Sequence, residues 1–210
     1  MRTRRVVGEV VSDKSSGNVI FRYLAGTDDF QVAEAAGFKG FPAFRLEHTE
    51  IRQGVLESLM RRLPPRNRED FGDYLQLHGL AAPFKLSDLA LLGYTGARLP
   101  SDGFALVPEF PADASPCDYV MEVAGTRHVL LGSLSDLRVG DAVSIQPDPN
   151  NMVESDALAM LHHGQRIGYV NRALKGMFYR WLQSGRMTAT IERQNGKPNR
   201  ALVFVRVSVS

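Results

Sequence analysis

The sequence predicts an α+β protein in two parts, and three observations carry that prediction. Apolar residues at helical spacing concentrate between residues 54 and 94, short β-rich runs fill the second half, and the proline-rich stretch VPEFPADASPC at 107–117 separates the two textures. The first part, residues 1–112, is expected to be a small α+β module. The second, residues 118–210, is expected to be a small β-barrel with one packed helix. At 210 residues, 44% hydrophobic and 23% charged, the chain is long enough for one large domain or two small ones.

In the first part, RRVVGEVV and NVIFRYL are β-rich runs joined by SDKSSG, a hairpin pattern. GVLESLMRRL sets Leu56, Leu59, Met60 and Leu63 at the i, i+3, i+4, i+7 positions of a helix that Pro64 and Pro65 stop. NREDFGDYLQLHGL supplies a second helix, with Glu69 and Asp70 in its first turn where negative charge suits the helix dipole, and Gly79 closing it. Ser87 and Asp88 start the run LALLGY, and GFALVPEF reads as a returning strand. Asp28 and Asp29 read as solvated turn residues with no partner base.

In the second part, CDYVMEVAG, RHVLLGSL, DAVSIQP, DALAMLH, RIGYV, RMTATIER and RALVFVRVSV are short strand-like runs punctuated by Gly, Asp, Asn or Pro, the cadence of a small barrel. One helix interrupts them. Asn171 can cap NRALKGMFYRWLQSG, whose Leu174, Met177, Phe178, Trp181 and Leu182 form one apolar face, while Arg172, Lys175 and Tyr179 share another and Gly185 ends the helix.

A single cysteine, Cys117, excludes an internal disulfide. MRTRRVVGEVV passes from basic residues into a strand-like run without the apolar core of a signal peptide, and every apolar run is broken before the ~20 residues a membrane helix needs. The expectation is a cytoplasmic protein with no membrane partner. No phosphate loop, kinase signature, nucleophile elbow, HExxH or CxxC pair is present, so no catalytic residue and no cofactor are assigned and the chain is expected not to be an enzyme. His162 and His163, adjacent on a strand, would point to opposite faces and cannot chelate one ion without further ligands. They read as polar residues of a hairpin tip, and metal is the least favoured role.

Charge is uneven along the chain. Residues 1–115 hold 14 Lys/Arg against 15 Asp/Glu, and residues 116–210 hold 11 against 8. Between 161 and 210, nine basic residues face Glu192 alone. Such a stripe is either a phosphate-binding surface or a solvated face neutralised from elsewhere, and charge by itself favours neither.

Three separated blocks, VAGTRHVLLGSL, GDAVSIQPDPNNMVESDALAM and HHGQRIGYVNRALKGMFYRWLQSG, resemble in order and spacing a HIRAN domain. The resemblance implies a modified OB-like barrel at residues 118–210 that binds nucleic acid, with single-stranded DNA or its 3′ end favoured as partner. It implies these site residues: Arg127 on the strand backbone, His128 where an aromatic stacks on a base, Glu154 as a surviving carboxylate, Tyr169 and Arg172 near phosphate, and Lys175 on the same helix face as Arg172. Arginine grips phosphate bidentately, and a ring stacked on a base contributes ~1–3 kcal/mol. Tyr169 could equally be a strand residue that only packs. The sequence departs from the family at Met152, Val153 and Glu154, where Pro-Tyr-Asp is common, so no stacking tyrosine stands beside the carboxylate.

The first part, through its GE, FRYL, LP and DLALL signposts, resembles the N-terminal subdomain of HipA-type toxin kinases, without the kinase core. That likeness implies a different class of function: a non-catalytic regulatory component of a toxin–antitoxin or stress system, docking on a separate protein partner through residues 1–112.

Overall fold

A computed structural model of the chain describes residues 4–13, 16–99, 101–111, 114, 117–128, 136–197 and 200–210, with the side chains of residues 127, 196, 197 and 200 outside that description. It divides into two compact units, Met1–Pro108 and Glu109–Ser210.

In the first unit the expected hairpin forms between β1 (Gly8–Ser12) and β2 (Val19–Tyr23), paired antiparallel from Gly8 opposite Tyr23 to Ser12 opposite Val19. A third strand that periodicity did not signal, β3 (Glu50–Ile51), pairs with Arg22 and Phe21 and is only two residues long. α1 (Asp28–Ala35) replaces the expected solvated turn. Thr27 caps it by accepting a hydrogen bond from Phe30 N, and Asp28 and Asp29 occupy the first turn, where the helix dipole favours carboxylates. Asp29 is a structural anchor: it accepts from Arg5 Nη1 at 2.9 Å and from the Val6 amide at 3.0 Å.

α2 (Val55–Met60) and α3 (Phe71–Leu77) follow, and α4 (Asp88–Thr95) is capped by the Ser87 hydroxyl and closed by Gly96 in the left-handed conformation. The segment expected as a returning strand, GFALVPEF, forms no ladder. Its Phe104 ring instead joins those of Phe38 and Phe41, Leu106 donates to Gly96 O, and Pro108 has no amide hydrogen to extend pairing. The core combines the β2 aromatics with Leu59, Leu75, Leu91 and Leu92.

In the second unit, the described residues form two antiparallel three-stranded sheets. β4 (Cys117–Glu122), β9 (Arg200–Val209) and β8 (Met187–Lys197) make one, in the order β4-β9-β8. The other is β5 (Ser144–Asp148), β6 (Ala157–His162) and β7 (Gln165–Tyr169). Alternate residues Val203, Val205, Val207 and Val209 on β9 are buried, the period-two signature of a strand with one face on the core. α5 (Lys175–Ser184) enters through a 3₁₀ turn, Arg172–Leu174, whose Asn171 cap accepts from Ala173 N, and it stops at left-handed Gly185. It buries Met177, Phe178 and Trp181.

Among the described residues the sheets do not close into the expected OB-like barrel. Single bridges, Ala124 with Tyr169 and Ala142 with Thr190, link the two sheets on either side, but neither extends into a ladder. Gly125, at positive φ, turns the chain after the Ala124 bridge, whereas Gly140 donates to Ile191 O and the Ala142 bridge is flanked by bonds from Ile191 N to Asp141 O and from Val143 N to Ala189 O. The bridge at Tyr169 depends on Gly168: a Cβ there would stand 2.4 Å from Val123 Cγ1 and 2.5 Å from Ala124 O. The expected strand RHVLLGSL lies mostly outside the described residues, and its described start is a 3₁₀ turn at Thr126–His128. Among the described residues no helix is long and apolar enough to cross a membrane.

Candidate nucleic-acid interface

The turn between β5 and β6 is the centre of the site. Asn151 organises it as an Asx turn, its Oδ1 accepting from the amides of Val153 at 2.9 Å and Glu154 at 3.0 Å. The turn presents Met152, 98% exposed, and Val153, 64% exposed, at its tip, and aims Glu154 back toward the start of α5.

There Glu154 Oε1 is shared by two cations. Lys175 donates to it, and Arg172 Nε lies 2.7 Å away, out of line for a straight hydrogen bond. Lys175 donates also to Asp156 Oδ1, and Tyr179 donates its hydroxyl to the Asp156 carbonyl at 3.3 Å. Burial pulls the Lys175 ammonium down, but the Asp156 and Glu154 carboxylates outweigh it and hold the group above its ordinary value. The same contact with Lys175 holds the Asp156 carboxyl below its ordinary range.

Tyr169 sits one strand away, at the end of β7. Its hydroxyl donates to Asp148 Oδ2 at 3.0 Å, and the Arg166 guanidinium lies over the ring at 5.2 Å while reaching within 3.6 Å of the same carboxylate. Burial first, and then the bond to Asp148, push the Tyr169 phenol above its usual value. The ring is half-buried and its hydroxyl is committed, so packing and surface exposure coexist in this one side chain.

The structure thus joins Glu154, Arg172 and Lys175 in one cluster and places Tyr169 in a neighbouring one with Arg166 and Asp148. The 3₁₀ turn carrying Arg127 and His128 lies against β7 and β9, beside the bridge that Tyr169 makes with Ala124. The Arg127 side chain lies outside the described residues. His128 is exposed, and its amide donates to Gly125 O.

Asp148, Asn151 and Asp156 were missed by sequence reasoning. Their signal was the acidic, asparagine-rich run DPNNMVESD immediately before the basic stripe. The stripe itself is not one surface: Arg206 is held by Glu192 through two 2.9 Å bonds, and Arg193 lies 3.7 Å over the Phe204 ring.

The histidine pair lies at the β6–β7 hairpin tip as expected, His162 pairing with Gln165 and His163 opening the turn with Gly164, but the two rings do not point to opposite faces. His162 ends β6 buried, with Nε2 2.8 Å from Asp141 Oδ2, while His163 takes a left-handed turn conformation that brings the two rings to 4.1 Å. Among the described residues no cluster of three or more His, Cys, Asp or Glu could hold a metal ion.

No curated protein matches the chain. Two solved structures do. The HIRAN domain of human HLTF aligns over 44% of this chain and 74% of its own, at 17% identity and a TM-score of 0.36. A protein from Lactobacillus plantarum aligns over 45% of this chain and 100% of its own, at 19% identity and a TM-score of 0.35. The HIRAN domain model matches residues 118–210, so the likeness of residues 1–112 to HipA-type subdomains rests on sequence signposts alone. The second unit of this chain carries a HIRAN domain at residues 118–210.

Proposed function

We propose that the second unit binds nucleic acid, favouring single-stranded DNA or an exposed DNA end, and performs no chemical step on it. The observation that supports this reading most directly is the Arg172–Lys175 pair at the entry of α5, set beside the β5–β6 turn within a HIRAN domain. A guanidinium and an ammonium three residues apart, both reaching the Glu154 carboxylate, suit an anionic strand, and phosphate contacts position a strand without reading its sequence. Arg166 and the half-buried Tyr169 ring extend the same surface, with the exposed His128 of the neighbouring turn as an aromatic neighbour for a base.

The test is a binding panel of single-stranded, duplex and end-blocked oligonucleotides across a salt series. Counterion release predicts an affinity that falls linearly on logarithmic axes as salt rises, and the proposed preference for an exposed strand or end predicts weakest binding to end-blocked duplex. Salt-independent binding, or no binding to any member at low salt, would overturn the reading.

A further inference from the structure

Lys175 bridges two carboxylates that differ in setting. The Glu154 side chain is 20% exposed and is shared with Arg172, whereas the Asp156 side chain is 64% exposed and meets Lys175 from the solvent side. The Lys175 side chain is itself only 12% exposed, so an incoming anion has little of it to reach while Asp156 is in place. The Asp156 backbone is fixed: Tyr179 donates to its carbonyl, and Ala157 N donates to Glu154 O across the same turn.

From this geometry, and resting on the nucleic-acid reading above, we infer that Asp156 is a built-in competitor for phosphate, its carboxylate occupying the anion position at Lys175. A phosphate oxygen and a carboxylate oxygen make the same charge-assisted bond to an ammonium, so a bound strand must displace Asp156 before Lys175 can grip it. Asp156 thereby sets a threshold: a lone or poorly placed anion loses to the tethered carboxylate. A strand that also engages Arg172 and its neighbours wins through several simultaneous contacts.

The test uses the full chain with two probes, a short single-stranded thymidine oligonucleotide and inorganic pyrophosphate, and four variants. Asp156→Asn keeps the shape and removes the charge. It should tighten binding of both probes on the order of five-fold at low salt, an effect that screening shrinks as salt rises. In Lys175→Gln the further change Asp156→Asn should bring no gain, because the two residues act through one contact. Asp73→Asn, which removes an exposed acid from the first unit, should leave both affinities unchanged. Thermal melts establish that each variant is folded.

Equal affinity of wild type and Asp156→Asn for both probes overturns the inference. So does a gain in Asp73→Asn as large as that in Asp156→Asn, or a gain that persists without Lys175. Tightening toward pyrophosphate in a protein that binds no oligonucleotide upholds the competitor and overturns the nucleic-acid reading. Oligonucleotide binding that is lost in Lys175→Gln but indifferent to Asp156 does the reverse.

Discussion

The Arg62 ion pair of the first unit and the Arg172–Lys175 cluster of the second are built for different ends. In the first unit Arg62, with a side chain 5% exposed, donates two bonds to Asp102 at 2.8 and 2.9 Å and a third to Ala97 O at 2.7 Å, while its guanidinium lies over the Phe41 ring. Its donors are spent on the protein, and nothing in that arrangement leaves room for a ligand. In the second unit the Lys175 and Arg172 pair leans on a turn whose own tip is solvent-exposed, and one of its carboxylates, Asp156, is itself exposed. Burial and the source of the counter-charge, more than the presence of an ion pair, separate architecture from a binding surface.

The largest expected effect comes from breaking the buried pair. Arg62→Ala should cost ~3–5 kcal/mol, because Asp102 is left charged and without its partner among buried neighbours. Equilibrium unfolding in urea checks it, and a loss under ~1 kcal/mol would mean that water reaches Asp102 as freely as it does Asp156. The same pair has a pH signature. The Arg62 guanidinium holds the Asp102 carboxyl below its ordinary range. A carboxyl depressed in the folded state contributes stability that is present above its unfolded value of about 4 and is lost as pH falls through the lower folded value. Acid titration of stability should therefore show a loss below about pH 4 that is smaller in Asp102→Asn.

Within the second unit the comparison sharpens between core and site. Trp181 is buried against Phe178 and Phe110, so Trp181→Ala should cost ~3–5 kcal/mol through the cavity it leaves. Arg172→Ala should cost at most ~1 kcal/mol, as expected of a partly exposed ion pair, while weakening oligonucleotide binding. Thermal melts that find the two variants equally unstable would make Arg172 a structural residue and move the binding surface elsewhere.

These contrasts also explain what could be read from sequence. The alternation of Val203, Val205, Val207 and Val209, and the apolar face of α5, follow from periods fixed by backbone geometry, so they were legible. β3 was not, because two residues carry no period and pair only once β2 is in place. α1 was hidden by reading Asp28 and Asp29 as a turn, although Thr27 followed by two acids is also the signature of a helix start. The partners of the basic stripe were missed because charge was counted along the chain. The pairing of Asp148 with Ala157, and of Ala159 with Tyr169, folds the acids of the β5–β6 turn onto the cations that follow them. How the two sheets of the second unit meet was beyond sequence, since single bridges such as Ala124 with Tyr169 and Ala142 with Thr190 carry no period of their own.

The smallest expected effect concerns the tip of that turn, and it asks whether the site grips a strand along its length or by its end. Val153 stands 64% exposed where the family commonly has a tyrosine, immediately before a Glu154 carboxylate that Arg172 and Lys175 already share. With no flat face beside it and one oxygen engaged, the carboxylate has little means of selecting a terminal sugar, so wild type should bind oligonucleotides with free and phosphate-blocked 3′ ends nearly equally. Val153→Tyr keeps the backbone, since the Asx turn is fixed by Asn151 through amides that any side chain retains. It adds a ring on which the last base can stack, worth at most ~1–3 kcal/mol, and only to an end that fits against Glu154. The ratio of the two affinities should therefore rise in Val153→Tyr and fall back when Glu154→Gln is added. A large ratio already present in wild type would show that the Met152–Val153 tip selects ends without an aromatic ring. A ratio near one in all three proteins would leave the backbone contacts of Arg172 and Lys175 as the whole of recognition at this turn.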